Sequence, residues 1–410
     1  MAVKKKKSTW VKPRHKLITD VLRFIFRRPL LWRYNIEIPY FRENPSRPVL
    51  ILINHQTGFD QFFVYAAFRA PIYFIASEDI FSLGLASKAI SWLVNPIPIK
   101  KQTSDLRAVR TALQVAKEGG SIALAPEGNR TYSGELCYIN PAILGLIRLT
   151  KLPVVCFRIE GGFGKHPRWS DVLRKGSMKA YVSRIIEPEE CKALSDEELM
   201  EQILEGINVN EACITSEYHS DKSAEYMERA VYICPECGLS RFESHGQELT
   251  CTQCGLKVRY LASKEFELLT PEKNFPFRFL ADWYRWQEDF VRNMDLTPYY
   301  DIPIYEDNAR FSEVILYDKK RVISKNMHIT LCGNRVILRS EDGAFDENWH
   351  FDDIDAITVL GKNKANIYRE GRVYQIKPDK RFNALRYVNI FNHYKAVMKG
   401  ENNGKQFLGL

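Results

Sequence analysis

Two stretches place chemically capable side chains directly after apolar runs of strand length. In residues 49–68 (VLILINHQTGFDQFFVYAAF) the run ends on Asn54 and His55, and Asp60 stands five positions beyond the histidine. Histidine offers a base near neutrality with little tuning. A carboxylate on its far ring nitrogen would fix the tautomer and stabilise the charged form during proton transfer. Two other readings stay open: His55 as a satisfied core histidine, and Asn54 as either a strand-end backbone cap or a site donor. The second stretch, residues 123–134 (ALAPEGNRTYSG), repeats the arrangement with Glu127, Gly128, Asn129 and Arg130. Glycine permits a turn or close ligand approach, and arginine offers a planar fork suited to phosphate. Alone, this stretch reads equally as a surface turn with an ion-paired arginine. There is no Walker loop and no GxSxG elbow, so nucleotide hydrolysis and serine-hydrolase chemistry lack their signatures.

A third constellation is metal-like. Cys234 and Cys237 (CPECG) and Cys251 and Cys254 (CTQCG) form two CxxCG knuckles. Four thiolates at this spacing read as a structural zinc ribbon with no open coordination position, with a redox dithiol pair and unliganded thiols as alternatives. His245 lies between the knuckles and is not needed as a ligand. The nine cysteines, an odd total with five singles, argue for a reducing compartment.

The elements that must position these groups read as an α/β unit over 49–190. Strands are expected at 49–53, 72–75, 97–99, 121–124 and 154–157, with helices at 60–68, 85–93, 104–118 and 142–149. In the helix at 104–118, Ser104 serves as cap and Leu106, Val109, Ala112, Leu113 and Ala116 as the buried stripe. Short apolar strands alternating with helices favour a sheet covered by helices. Residues 191–230 read as helical, with a Ser195/Glu198 capping box and a second helix in DKSAEYMERA. The ribbon follows, then an aromatic helix near 279–292, which serves as core, as interdomain contact or as a membrane-facing element. Last comes a β-rich tail over about 302–378 closed by a helix at 382–397, a pattern pointing to a small capped barrel. The expected divisions are 1–48, 49–230, 231–262, 263–300 and 301–400.

At 410 residues with a formal charge of +9, the chain holds one large core and smaller units. The charge is local: residues 1–48 carry 13 Lys or Arg against 3 acids, leaving the rest near −1. Nucleic-acid binding, through this tail and the ribbon, is disfavoured because the ribbon loop RFESHGQELT is not strongly basic. No uncharged apolar run reaches 18 residues, and the basic start lacks a signal-peptide cleavage site, so neither a transmembrane helix nor a secretory signal is expected. In HKLITDVLRFIFRR (15–28), Leu17, Ile18, Val21, Leu22 and Ile25 keep helical spacing, with Pro29 after it. Basic residues flanking a Trp/Phe/Leu face fit a helix lying in an anionic membrane interface, each cation there worth about 1 kcal/mol. The same helix docked on the protein's own core with a solvated basic side is the plainer reading.

Taken together, Asn54-His55 with Asp60, PIPIKK (96–101), PEGNR (126–130) and KLPVV (151–155) resemble the glycerolipid acyltransferase superfamily, of the 1-acylglycerol-3-phosphate acyltransferase type. The resemblance covers about residues 20–190. It implies His55 as general base and Asp60 as its orienting partner. It further implies Glu127, Gly128, Asn129 and Arg130, with Lys100 and Lys101, at the substrate, and 151–155 at the acyl pocket. Asn129 stands where Thr or Ser is common, and Lys100 and Lys101 where arginine is frequent. The implied reaction moves a fatty acyl group from an acyl-carrier-protein or coenzyme A thioester to a lysophospholipid hydroxyl, at the cytoplasmic face of a membrane. A ribbon after a similar helix also occurs in related bacterial acyltransferases, and the tail resembles a pleckstrin-homology fold. The contrary expectation is a non-catalytic membrane adaptor that keeps His55 and Asp60 as relics.

Overall fold

The computed structural model describes residues 9–41, 47–77, 80–81, 84–99, 106–315 and 320–400. They fall into two compact units. The first comprises Met1–Gly128, Ile139–Glu160 and Met178–Val209; the second comprises Asn129–Tyr138, Gly161–Ser177 and Asn210–Leu410. These limits differ from the expected divisions, because 129–138 and 161–177 pack with the later part of the chain.

In the first unit the strands are β1 (Ile36–Glu37), β2 (Leu50–Ile53), β3 (Ile72–Ser77), β4 (Ile97–Ile99), β5 (Ser121–Leu124), β6 (Val154–Glu160) and β7 (Met178–Ile186). They form one sheet in the order β1-β7-β6-β2-β5-β3-β4. The pairs among β6, β2, β5, β3 and β4 are parallel, and β7 runs antiparallel to β6. All four residues of β2 are buried, which is why the sequence there is an unbroken aliphatic run rather than an alternation. The helices are α1 (Pro13–Tyr34), α2 (Asp60–Ala67), α3 (Leu85–Leu93), α4 (Leu106–Lys117) and α5 (Ala142–Thr150). Two further helices follow β7, Pro188–Ala193 and Asp196–Ile207, the second carrying the expected capping box from Ser195 and Glu198.

Three expectations in this unit need correction. The strand β7, paired with β1 on one side and antiparallel to β6 on the other, is absent from the expected set because its charged and half-buried residues disguise it. The buried residues of α4 are Ala108, Ala112 and Val115, while Leu106 is exposed, so the stripe is rotated from the expected one. The proposed cap Ser104 lies outside the described residues. Finally, α1 continues through Pro29 to Tyr34, and its orientation inverts the plain docked-helix reading. Arg23 donates to Phe68 O (2.8 Å), and Arg27 to Ala66 O (3.1 Å) and Ile38 O (2.8 Å). Leu17, Val21, Phe24, Ile25, Phe26 and Trp32 face outward instead, with Phe24 88% and Trp32 85% exposed. Among the described residues no helix is long and apolar enough to cross a membrane.

The second unit contains the cysteine-rich segment, the aromatic helix and the β-rich tail. Strands Phe242–His245, Glu248–Cys251, Lys257–Tyr260 and Phe266–Leu268 form an antiparallel meander. The helix Leu280–Arg292 is core, not membrane-facing, on its aromatic side. Trp283 is fully buried against Phe242, Phe266, Phe275 and Phe277, and its indole N–H donates to Ile233 O at 2.9 Å. The tail is a seven-stranded antiparallel sheet with Tyr305–Val314 at its centre, followed by the helix Leu385–Met398. Among the described residues the strands at its two ends, Asp346–His350 and Ala356–Leu360, do not pair with one another, so the sheet is open rather than a closed barrel. The expected helix in DKSAEYMERA is instead a run of turns with a single short 3-10 segment, Met227–Arg229. Long-range polar contacts override its helical propensity: Ser244 Oγ accepts the Tyr226 N–H (2.7 Å), and Arg229 pairs with Asp171 (3.0 Å).

Candidate active site and cysteine cluster

The parallel register sets the site. Leu52 of β2 pairs with Leu124 of β5, so His55 and Glu127 each follow three residues beyond paired positions at the carboxyl ends of neighbouring strands. Ligands of open α/β sheets bind at such ends. The Glu127 carboxylate accepts the backbone N–H of His55 at 2.6 Å. Glu127 is buried, and this bond gives it a role in holding the histidine loop. Gly128 follows with φ +70°, a left-handed conformation in which a side chain would be strained.

The loop from His55 to Asp60 folds around one carboxylate. Asp60 Oδ2 lies 2.8 Å from His55 Nδ1 and 2.8 Å from the Gln56 N–H. Its Oδ1 receives the Thr57 N–H (2.9 Å) and hydroxyl (2.7 Å). Asp60 also opens α2, where the helix dipole favours a negative charge. Because backbone N–H groups can only donate, the carboxylate acts as acceptor throughout, and Nδ1 of the imidazole carries the proton. Nε2 is then the basic atom. The side chain of Asp60 is 0% exposed and that of His55 27%. The histidine is therefore partnered but reachable, unlike a sealed core residue. Asn54 takes the backbone reading: its amide donates to Ile159 O and accepts from Ile159 N, both at 2.7 Å, tying the end of β2 to β6.

The second motif is divided between the two units, with Glu127 and Gly128 in the first and Asn129 and Arg130 in the second. Within the second unit the buried guanidinium of Arg168 donates to Arg130 O (2.7 Å) and Asn129 Oδ1 (3.4 Å), and lies 4.4 Å from the Tyr132 ring centroid. Thr131 Oγ accepts the Gly134 N–H at 2.9 Å. Lys100 and Lys101 lie outside the described residues. Sequence reasoning missed Thr57 and Arg168. The spacing of Thr57, three residues before the helix-opening Asp60, was an available signal; Arg168, in KHPRW, had none.

The sulfurs of Cys234, Cys237, Cys251 and Cys254 lie within 4.8 Å of one another. The Cys234–Cys254 and Cys237–Cys251 sulfur pairs are each 3.6 Å apart. A tetrahedral site with Zn–S bonds of about 2.3 Å puts its sulfurs about 3.8 Å apart, whereas a disulfide requires about 2.05 Å. The donor set fits a zinc ion, and the following glycines, Gly238 and Gly255, take the positive φ that each knuckle needs.

Residues 36–160 match the family model described as Acyltransferase. The chain is 24% identical over 181 residues to the 1-acyl-sn-glycerol-3-phosphate acyltransferase BAT2, chloroplastic, of Brassica napus, covering 43% of this chain and 52% of that protein. It is 24% identical over 152 residues to the probable 1-acyl-sn-glycerol-3-phosphate acyltransferase of Mycoplasma genitalium, covering 34% of this chain and 56% of that protein. The chain thus spans about half the length of these curated relatives. Among solved structures it is similar to the 1-acyl-sn-glycerophosphate acyltransferase PlsC of Thermotoga maritima, with TM-score 0.40, 22% identity, and coverage of 47% of this chain and 77% of that one. From the geometry, Asn54→Ala leaves both Ile159 backbone groups unpaired and is expected to lower unfolding free energy by about 3 kcal/mol. Urea denaturation checks this, and a change within about 0.5 kcal/mol would show that the clamp is dispensable.

Proposed function

We propose that this chain, whose residues 36–160 match the Acyltransferase family model, moves a fatty acyl group from an acyl thioester to the hydroxyl of lysophosphatidic acid or a similar lysophospholipid. The observation that carries the reading is a reachable imidazole whose Nδ1 is held at 2.8 Å by a buried carboxylate. In this account Nε2 of His55 takes the proton of the acceptor hydroxyl as its oxygen attacks the thioester carbonyl. The tetrahedral intermediate collapses with loss of the C–S bond, and the imidazolium returns its proton to the departing thiolate. The products are an ester and a free thiol, and no acyl-enzyme is required. Asp60 stabilises the imidazolium and holds the ring. Arg130 binds the acceptor phosphate, converting remote binding energy into positioning. Coenzyme A and acyl carrier protein both supply the thioester this chemistry needs.

The outward apolar face of α1 supports docking at a membrane surface, with the basic amino-terminal residues drawn to anionic headgroups. Zinc held by Cys234, Cys237, Cys251 and Cys254 would cross-link the ribbon without entering the chemistry.

Three measurements bear on these statements. Transfer of radiolabelled acyl groups from a thioester to a panel of lysolipids is expected to yield one diacyl product, and His55→Ala to lower the rate at least about a hundredfold with the fold unchanged. A variant keeping most of its activity would remove His55 as base. Metal analysis is expected to find one zinc per chain, retained in His55→Ala and lost in Cys234→Ser, with a lowered melting temperature; a fully folded, metal-free protein contradicts the zinc assignment. Combined Phe24→Ser and Trp32→Ser is expected to weaken co-sedimentation with anionic liposomes about tenfold or more, and unchanged partitioning would assign that face another role.

A further inference from the structure

Arg168 does more than hold the second motif. Besides Arg130 O and Asn129 Oδ1, its guanidinium donates to Gly361 O (2.7 Å) and Val359 O (3.4 Å), at the turn between strands Ala356–Leu360 and Lys364–Arg369 of the carboxy-terminal sheet. The Tyr132 hydroxyl adds a second tie, donating to Lys362 O at 2.5 Å. The segment carrying Arg130 and the turn carrying Lys362 are therefore tied together by two side chains, Arg168 and Tyr132, within one unit. The Lys362 ammonium donates to Ser170 O (2.6 Å) and Asp171 Oδ1 (2.8 Å), while its side chain remains 27% exposed. An ammonium has three donors, and these contacts use two.

The surroundings are rich in positive charge. Arg229 and Lys362 share one carboxylate, that of Asp171. Arg168 is met by carbonyl and amide oxygens rather than by an acid. Burial lowers the Lys362 pKa; the charge of Arg130 lowers it further, against the opposing pull of Asp171. His166 is pushed down to about 4, by burial first and then by the charges of Lys362 and Arg130. Like charges brought together by these ties repel one another, and a bound anion relieves that repulsion.

We propose that Lys362, delivered by the carboxy-terminal β domain, is a second cation for the acceptor's phosphate, acting beside Arg130. This rests on the reading of Arg130 as the phosphate ligand. It places the turn that carries Lys362 with Arg130 in one phosphate subsite of the second unit.

The test compares KM and kcat of the full-length zinc-loaded protein, wild type and variants, for lysophosphatidic acid, with inhibition by glycerol 3-phosphate measured alongside. Lys362→Gln keeps a hydrogen-bonding stem without the charge; Lys362→Arg keeps the charge. Lys362→Gln is expected to raise KM and the glycerol 3-phosphate inhibition constant about tenfold each, with kcat changed less, and Lys362→Arg to recover most of both. Arg130→Ala is the control. If it raises KM while Lys362→Gln does not, the second cation is refuted and the reading of Arg130 stands. If Arg130→Ala leaves KM and inhibition unchanged, that reading falls and takes the inference with it. Loss of kcat and melting temperature in both Lys362 variants, without a change in glycerol 3-phosphate inhibition, assigns Lys362 a structural role and overturns the proposal.

Discussion

The Asp60 carboxylate is the interaction on which the geometry of the histidine loop depends. It is sealed from water, yet it collects the His55 ring, two backbone N–H groups and the Thr57 hydroxyl, and it begins a helix. A buried carboxylate is tolerated only with such a shell. The same bonds that neutralise its desolvation cost fold the turn and fix which imidazole nitrogen carries the proton. Local folding and the tautomer are therefore one event.

The neighbouring strand adds the second constraint. Glu127 extends the pairing of β2 and β5 past the sheet edge by accepting the His55 N–H. The acidic residue of the second motif thus serves the histidine of the first. Asn54 does the same toward β6 through Ile159. The histidine loop is braced on both sides by side chains that complete backbone hydrogen bonds, the kind of support that a reacting group requires.

Much of this was legible in the sequence. The central strands β2 and β6 were visible because burial on both faces requires aliphatic runs, and the proximity of His55 to Asp60 and of the four cysteines to one another because each set has a fixed spacing. What escaped reading was decided by distant partners. The segment 221–230 has helical composition, but Ser244 and Asp171 claim its polar groups. Strand β7 lies between β1 and β6, and its half-buried residues carry no clean period. Arg168 had no local mark at all, since its meaning lies in carbonyls close to two hundred positions away along the chain. The outward face of α1 was visible as an apolar spacing, but its direction depended on where Arg23 and Arg27 found acceptors.

Those two arginines have a mechanical corollary. Their acceptors, Phe68 O and Ala66 O, sit at the carboxyl end of α2, where helix geometry leaves carbonyls in want of donors. The opposite end of α2 is Asp60. A rod of eight residues, about 12 Å long, therefore runs from the anchor of the outward-facing helix to the imidazole's partner with no loop between. Between the outer helix and the ring of His55 there is thus no flexible joint in which a tilt could be absorbed.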